Sequence, residues 1–211
     1  MSSAFAQIAF TPAVKAAQER EGSRAAYARN FESGAEGTNQ RLGDAEAHFI
    51  AEQRSFYMAT VSETGWPYVQ HRGGPRGFLK VLDERTLAFA DFAGNRQLVS
   101  VGNVAGNDQV ALILVDYAKR TRLKILGHLQ VRDLAGDSAL TRQLHSDDYK
   151  ARPQRAMTIR VAGFDWNCPQ HIPQRVDLED VQRELAERDA RIAALEKMLK
   201  AAGVADVANA P

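Results

Sequence analysis

The sequence predicts a mainly β fold with flanking helices, an α+β chain built on a small β-barrel or sandwich. From Ser55 onward, five to seven short stretches are rich in β-branched and aromatic residues, with turn signals spaced about 8–12 residues apart. That rhythm argues for hairpins rather than a parallel sheet wound by βαβ crossovers. The flanks have a different texture. Residues 1–42 are polar and alanine-rich, and residues 178–199 repeat apolar side chains every three or four positions.

In chain order, an N-terminal helical arm (1–42) carries one helix around Pro12–Arg20, and FESGAEGTNQRLG (31–43) reads as a loop or an arm. A short helix follows from about Asp44 to Gln53, with Asp44 as its cap and Ala45, His48 and Phe49 toward a core. The central domain (43–175) opens with the strand SFYMATVSE (55–63), turns at TGWP, and is extended again in YVQHR (68–72). GGPRG (73–77) breaks the chain, and FLKVLDERTLAFAD (78–91) holds two strands across a tight Asp-Glu-Arg turn. LVSVGNV (98–104) fits a helix, and QVALILVDY (109–117) with RLKILGHLQVRDL (122–134) forms a longer hairpin. Residues 135–150 are helix or loop, and RAMTIRVAGFDW (155–166) is a strand. In the C-terminal helix (176–202), Leu178, Val181, Leu185, Arg188, Ile192, Leu195 and Leu199 form a heptad seam. Either this helix lies on its own domain, or it forms a two-stranded coiled coil between subunits. Residues 203–211 are expected to be a disordered tail.

The 211 residues, 45% hydrophobic and 25% charged, suit one globular domain with appendages or two small ones. A net charge of +1 gives no general reason to expect nucleic acid or an anionic membrane as partner. The single cysteine, Cys168, excludes an intrachain disulfide framework and Cys-rich zinc sites. The first twenty residues lack the pattern of a signal peptide, and no run approaches the roughly 20 apolar residues that span a bilayer. A cytoplasmic protein is expected.

Three stretches carry chemistry. FADFAGNRQ (89–97) ends a strand at Asp91 and passes a glycine turn into Asn95, Arg96 and Gln97. Backbone N–H groups and an arginine at a helix start make an anion site, and a phosphate monoester suits it. The other reading is a solvated turn with an ordinary surface arginine. QHRGGPRGFLKVLD (70–83) surrounds glycines with Arg72, Arg76 and Lys80, and Lys80 points away from its neighbours Leu79 and Val81. In RTRLKILG (120–127), Arg122 and Lys124 share a face that is either solvated or a ligand wall.

The order of these stretches resembles the pyridoxamine 5′-phosphate oxidase-related FMN-binding split barrels. The resemblance rests on GFLKVLD (77–83), LAFADFAGNRQ (87–97), GNDQVALIL (106–114) and TRLKILG (121–127), and covers about residues 55–165. It implies a split β-barrel that binds FMN in a homodimer, with the cofactor at the subunit interface. Arg96 and Gln97 fall on the family's phosphate-binding Arg and Lys, with Asn95 in place of a Ser. Gln97 departs from the pattern, so the phosphate charge would rest on Arg96, helped by Lys80 or a neighbouring cation. Gly77, Phe78, Leu79 and Lys80 fall on the strand bordering the flavin, and Ala90 and Asp91 on the pair before the loop. Arg122 falls where the family has a Gln at the pyrimidine edge of the ring; an arginine there would stabilise charge developing on flavin reduction, with Lys124 assisting.

FDWNCPQHIPQ (164–174) resembles the end of a subgroup of these proteins, which makes Trp166 a flavin contact or else a barrel-capping core residue. Counterparts of the oxidase's substrate-phosphate side chains are missing from 128–160 and 164–175. The implied function is therefore an FMN-dependent oxidoreductase acting between a small-molecule electron donor and acceptor. The alternatives are an FMN carrier or electron-transfer component, or a barrel holding heme or a deazaflavin.

Overall fold

The structure, a computed structural model, describes residues 2–32, 36–134, 138–145, 149–151, 153–167 and 169–203. Three short helices open the chain: α1 (Ala4–Ala9), α2 (Pro12–Arg20) and α3 (Arg24–Phe31). The Thr11 hydroxyl caps α2 by accepting from the Val14 N–H, and Pro12 occupies its first turn, where a missing N–H costs nothing. Only α2 was expected. The arm is not a free appendage either, because α1 seats on the barrel with Ala4 and Ala6 buried. Gly163 permits the approach, since a Cβ there would stand 2.7 Å from the Phe5 nitrogen. Strand β1 (Ser2–Ser3) pairs with β2 (Glu36–Thr38) beside it.

Helix α4 (Asp44–Ala51) begins at the residue predicted as its cap, so the N-cap lies one position earlier. Gly43 is the N-cap, and the Glu46 carboxylate accepts its N–H at 2.9 Å. The buried face is Phe49 and Ile50; Ala45 and His48 are exposed. Seven strands follow: β3 (Ser55–Val61), β4 (Pro67–Gly73), β5 (Lys80–Asp83), β6 (Thr86–Phe92), β7 (Gln109–Asp116), β8 (Thr121–Asp133) and β9 (Pro153–Asn167). They form one antiparallel sheet in the order β4-β3-β7-β8-β9-β6-β5. The sheet is a split barrel, open between the edge strands β4 and β5. Helix α5 (Val99–Gly106) follows β6, as predicted from LVSVGNV, and α6 (Ser138–Leu144) precedes β9.

Alternation sorts side chains between the two faces. Phe56, Met58, Leu87, Phe89, Leu112, Leu114, Leu123 and Ile125 turn inward to the main core, whereas Ala88, Ala90 and Ala156 lie under Leu140 and Leu144 of α6. Two polar contacts, one buried and one partly buried, hold α5 on the sheet. Asn103 donates to the Thr60 hydroxyl at 2.9 Å, and Ser100 to the Gln70 side chain at 2.9 Å.

Helix α7 (Leu178–Ala201) stands apart, and none of its residues is buried. It does not lie on its own domain. Among the described residues its ion pairs to the barrel come from its start: Arg54 holds Asp177 at 3.4 Å and Glu179 at 2.6 Å, and Arg76 holds Asp180 at 3.7 Å. Residues 204–211, where a disordered tail was expected, lie outside the described residues.

Candidate functional site

The loop after β6 is shaped by its backbone. Arg96 and Leu98 both adopt left-handed conformations, φ 58° and 56°, without being glycine. Such residues are uncommon and cluster where a loop is held for a purpose. Asn95 Oδ1 accepts the Gln97 N–H at 3.1 Å, and Leu98 is the N-cap of α5 with no side-chain cap, so the helix start keeps free backbone donors. The Arg96 side chain is exposed and has no ion-pair or hydrogen-bond partner among the described residues.

Beneath the loop lies a charge cluster that the sequence did not reveal. Arg72 on β4 donates to Asp91 Oδ1 at 2.7 Å, and Arg155 on β9 stands 3.5 Å from Asp91 Oδ2. Asp91 is buried, and the two arginines are largely so. The Arg72 guanidinium lies over the Phe89 ring at 5.8 Å, and its Nε is buried without a hydrogen-bond partner. Arg72, Asp91, Arg96, Gln97 and Arg155 line one small cleft of about 80 Å³. Three arginines against one aspartate leave two positive charges, which match the roughly −2 of a phosphate monoester above its second pKa of about 6. Asp91 aims the arginines, and an anion would meet the arginines.

The other predicted residues are placed differently. Gly77 has φ 71°, and a Cβ on it would stand 3.0 Å from the Ala51 carbonyl oxygen; packing against α4 accounts for this glycine. Phe78 and Leu79 are buried in the core, with the Phe78 ring stacked on Phe56 at 5.6 Å, so their side chains form no ligand wall. Lys80 pairs with Ala88 across β5 and β6 and therefore shares the α6 face, opposite the face of Asp91 and Phe89. It does not join the Arg96 cleft; the neighbouring cations there are Arg72 and Arg155. Ala90 is buried on the α6 side.

Arg122, Lys124 and Trp166 lie far from the loop. Along the β8–β9 ladder, Arg122 pairs with Asn167, whereas Asp133 pairs with Arg155. The eleven residue steps from Arg122 to Asp133 run about 35 Å along the strand. Lys124 is held by Asp165 at 3.1 Å and lies over the Phe5 ring at 4.8 Å. Trp166 packs edge-on against Phe49 at 4.8 Å and donates its indole N–H to Glu46 at 2.7 Å, which is the barrel-capping arrangement. Arg122 is half-buried, with no ion pair among the described residues. Beside Lys124, a wholly apolar depression of about 240 Å³ opens on the outer face of β3, β4, β7 and β8, with Tyr57 and Val69 exposed at it.

Cys168 lies outside the described residues. No group of three or more His, Cys, Asp or Glu suited to a metal occurs among the described residues, and no helix there is long and apolar enough to cross a membrane.

The family model described as pyridoxamine 5′-phosphate oxidase matches residues 42–163. No curated protein matches the chain. Similar solved structures include HupZ of group A Streptococcus, 13% identical over 64% of this chain and 100% of that one, with TM-score 0.48. General stress protein 26 of Bacillus anthracis is 14% identical over 56% and 88%, with TM-score 0.44. An FMN-binding protein from Syntrophomonas wolfei is 14% identical over 72% and 95%, with TM-score 0.44.

Proposed function

The chain belongs to the pyridoxamine 5′-phosphate oxidase family, and on that premise we propose that it is an FMN-binding oxidoreductase acting on a small molecule. The observation that carries this reading is the arginine cleft. Arg72 has a buried, unpartnered Nε, Arg96 has no partner among the described residues, and a left-handed loop leads into free helix N–H groups. A buried donor left without a partner is costly, and a phosphate at the cleft would meet the Arg72 Nε and the excess positive charge. Arg72, Arg96 and the backbone at the start of α5 would hold the FMN phosphate. Arg155 and Asp91 keep Arg72 in place.

When bound, FMN supplies hydride or electron-pair transfer at its ring. Arg122 is a cation available to negative charge on that ring, and the apolar depression beside Lys124 suits a planar apolar face. Because Arg96 and Arg122 sit at opposite ends of the β8–β9 ladder, a flavin touching both takes one from each of two copies. A subunit interface closed over it would also exclude water.

The test is the absorption spectrum of the purified protein and its titration with FMN. Flavin bands, with FMN released on heating, are expected, followed by NAD(P)H-driven reduction with an added acceptor. Flavin binding without turnover would reassign the chain as a carrier. A colourless protein that takes up no FMN would overturn the reading, and a Soret band would replace it with heme.

A further inference from the structure

We propose that a second cavity, on the outer face of β6, β8 and β9 beside α6, binds a small 2-hydroxy carboxylic acid with an apolar body. The cavity holds about 440 Å³, the size of a small-molecule site. It is set apart from the arginine cleft. Along β6 and β9, Thr86 pairs with Arg160 and Asp91 with Arg155, so five residue steps, about 17 Å, separate the two places. Thr86 also shares the α6 face with Ala88, opposite the face of Asp91. The proposal therefore does not rest on the flavin reading.

Strand register supplies the chemistry. His128, Arg160 and Thr86 stand side by side in one row across β8, β9 and β6. Direct cross-strand neighbours have Cβ atoms about 5 Å apart. Asp108 is fixed next to this row, because its backbone carbonyl accepts the Leu129 N–H at 2.8 Å. Its carboxylate meets His128 Nδ1 at 2.9 Å. A carboxylate only accepts, so Nδ1 carries the proton. The neutral ring then offers Nε2, which has no partner among the described residues, as an acceptor. An acceptor nitrogen takes a hydroxyl and repels an oxyanion. Arg160 beside it has no ion pair or hydrogen bond among the described residues, and Arg132 donates to the Gln130 side chain at 3.2 Å. Two arginines against Asp108 leave one positive charge, which matches a carboxylate and falls short of a phosphate dianion. With Arg160 and His128 as direct neighbours, the carboxylate and the hydroxyl they take belong on adjacent carbons. Leu82 and Leu140 line the same cavity and offer apolar surface to the rest of the molecule.

The test is calorimetric titration of the full chain with mandelate, which joins a carboxylate, a 2-hydroxyl and a ring. Mandelate should bind, and lactate, which lacks the ring, should bind more weakly. Phenylacetate lacks the hydroxyl and mandelamide lacks the charge, so each should bind about tenfold more weakly than mandelate or worse. Arg160→Gln and His128→Ala should lower mandelate affinity by a similar factor. Arg160 is exposed and His128 half-buried, and an unchanged thermal unfolding curve would confirm that each variant keeps the fold. The proposal is overturned if mandelate does not bind, if lactate, phenylacetate or mandelamide binds as tightly, or if Arg160→Gln binds mandelate like the parent chain. Inorganic phosphate binding more tightly than mandelate would overturn it as well, by making the site a phosphate site. None of these readouts involves flavin.

Discussion

Arg96 and Leu98 each carry a left-handed backbone that costs a non-glycine residue about 1–2 kcal/mol. Between them, Gln97 stands where the family has a cation, so the phosphate reading leaves Arg96 and Arg72 to supply most of the charge. Arg96→Ala should then weaken FMN binding by about 1.5–3 kcal/mol, the worth of a charge-assisted hydrogen bond. Gln97→Lys should strengthen it. Flavin-fluorescence titration reads both, and an unchanged affinity for Arg96→Ala would remove that residue from the site. The place of Arg96 in the loop was legible because loop residues adjoin in sequence. Arg72 and Arg155 were not assignable, because 19 and 64 residues separate them from Asp91 and only strand register brings the three together. The side chain of Phe78 was not placed for a related reason. Its place on the flavin-bordering strand came from motif order, which does not say which face a ring takes; the structure stacks it on Phe56.

Among the elements, each predicted strand is present, because alternation and turn residues are local signals that the register then confirms. Helix α1 was not foreseen, since six residues are too few to show a period and its burial depends on Gly163 far along the chain. For α7 the period was clear, but a period does not say what the seam packs against. The start of this helix carries a pH dependence of definite sign. The hydrogen bond from Arg54 holds the Glu179 carboxyl below the usual carboxylate range, and Arg183 does the same for Asp180. In the unfolded chain Glu179 titrates at about pH 4.3, so its anchoring is complete above that pH and is lost as pH falls through the lower folded value. The Asp180 shift comes first from Arg183 on the same helix and adds nothing to the anchoring. Fluorescence anisotropy of a dye on Lys197→Cys, in the Cys168→Ser chain, should hold steady from about pH 7 to 5 and drop below about pH 4. Glu179→Gln should lower it already at neutral pH, with tryptophan fluorescence confirming an intact barrel. An anisotropy unmoved by that substitution would mean that Arg54 does not anchor the helix.

For the whole molecule, the decisive fact is the length of the β8–β9 ladder. It sets the arginine cleft at one end and Arg122 at the other, so a single copy cannot offer both to one small cofactor. If FMN lies between two copies related by a twofold axis, each site takes Arg96 from one chain and Arg122 from the other. Two defective variants should then repair one another. Arg96→Ala and Arg122→Ala chains, each weak in FMN binding alone, form mixed dimers in which one site has lost both arginines and the other has lost neither. Co-expressed in equal amounts with random pairing, they should recover tight FMN binding at about one quarter of all sites, because about half the dimers are mixed and each has one intact site. Mixing already assembled homodimers should recover binding only as subunits exchange. If each variant binds weakly and the mixture binds no better than their average, Arg96 and Arg122 do not serve the same flavin. The barrel would then place its cofactor within one chain, and Arg122 would need another role.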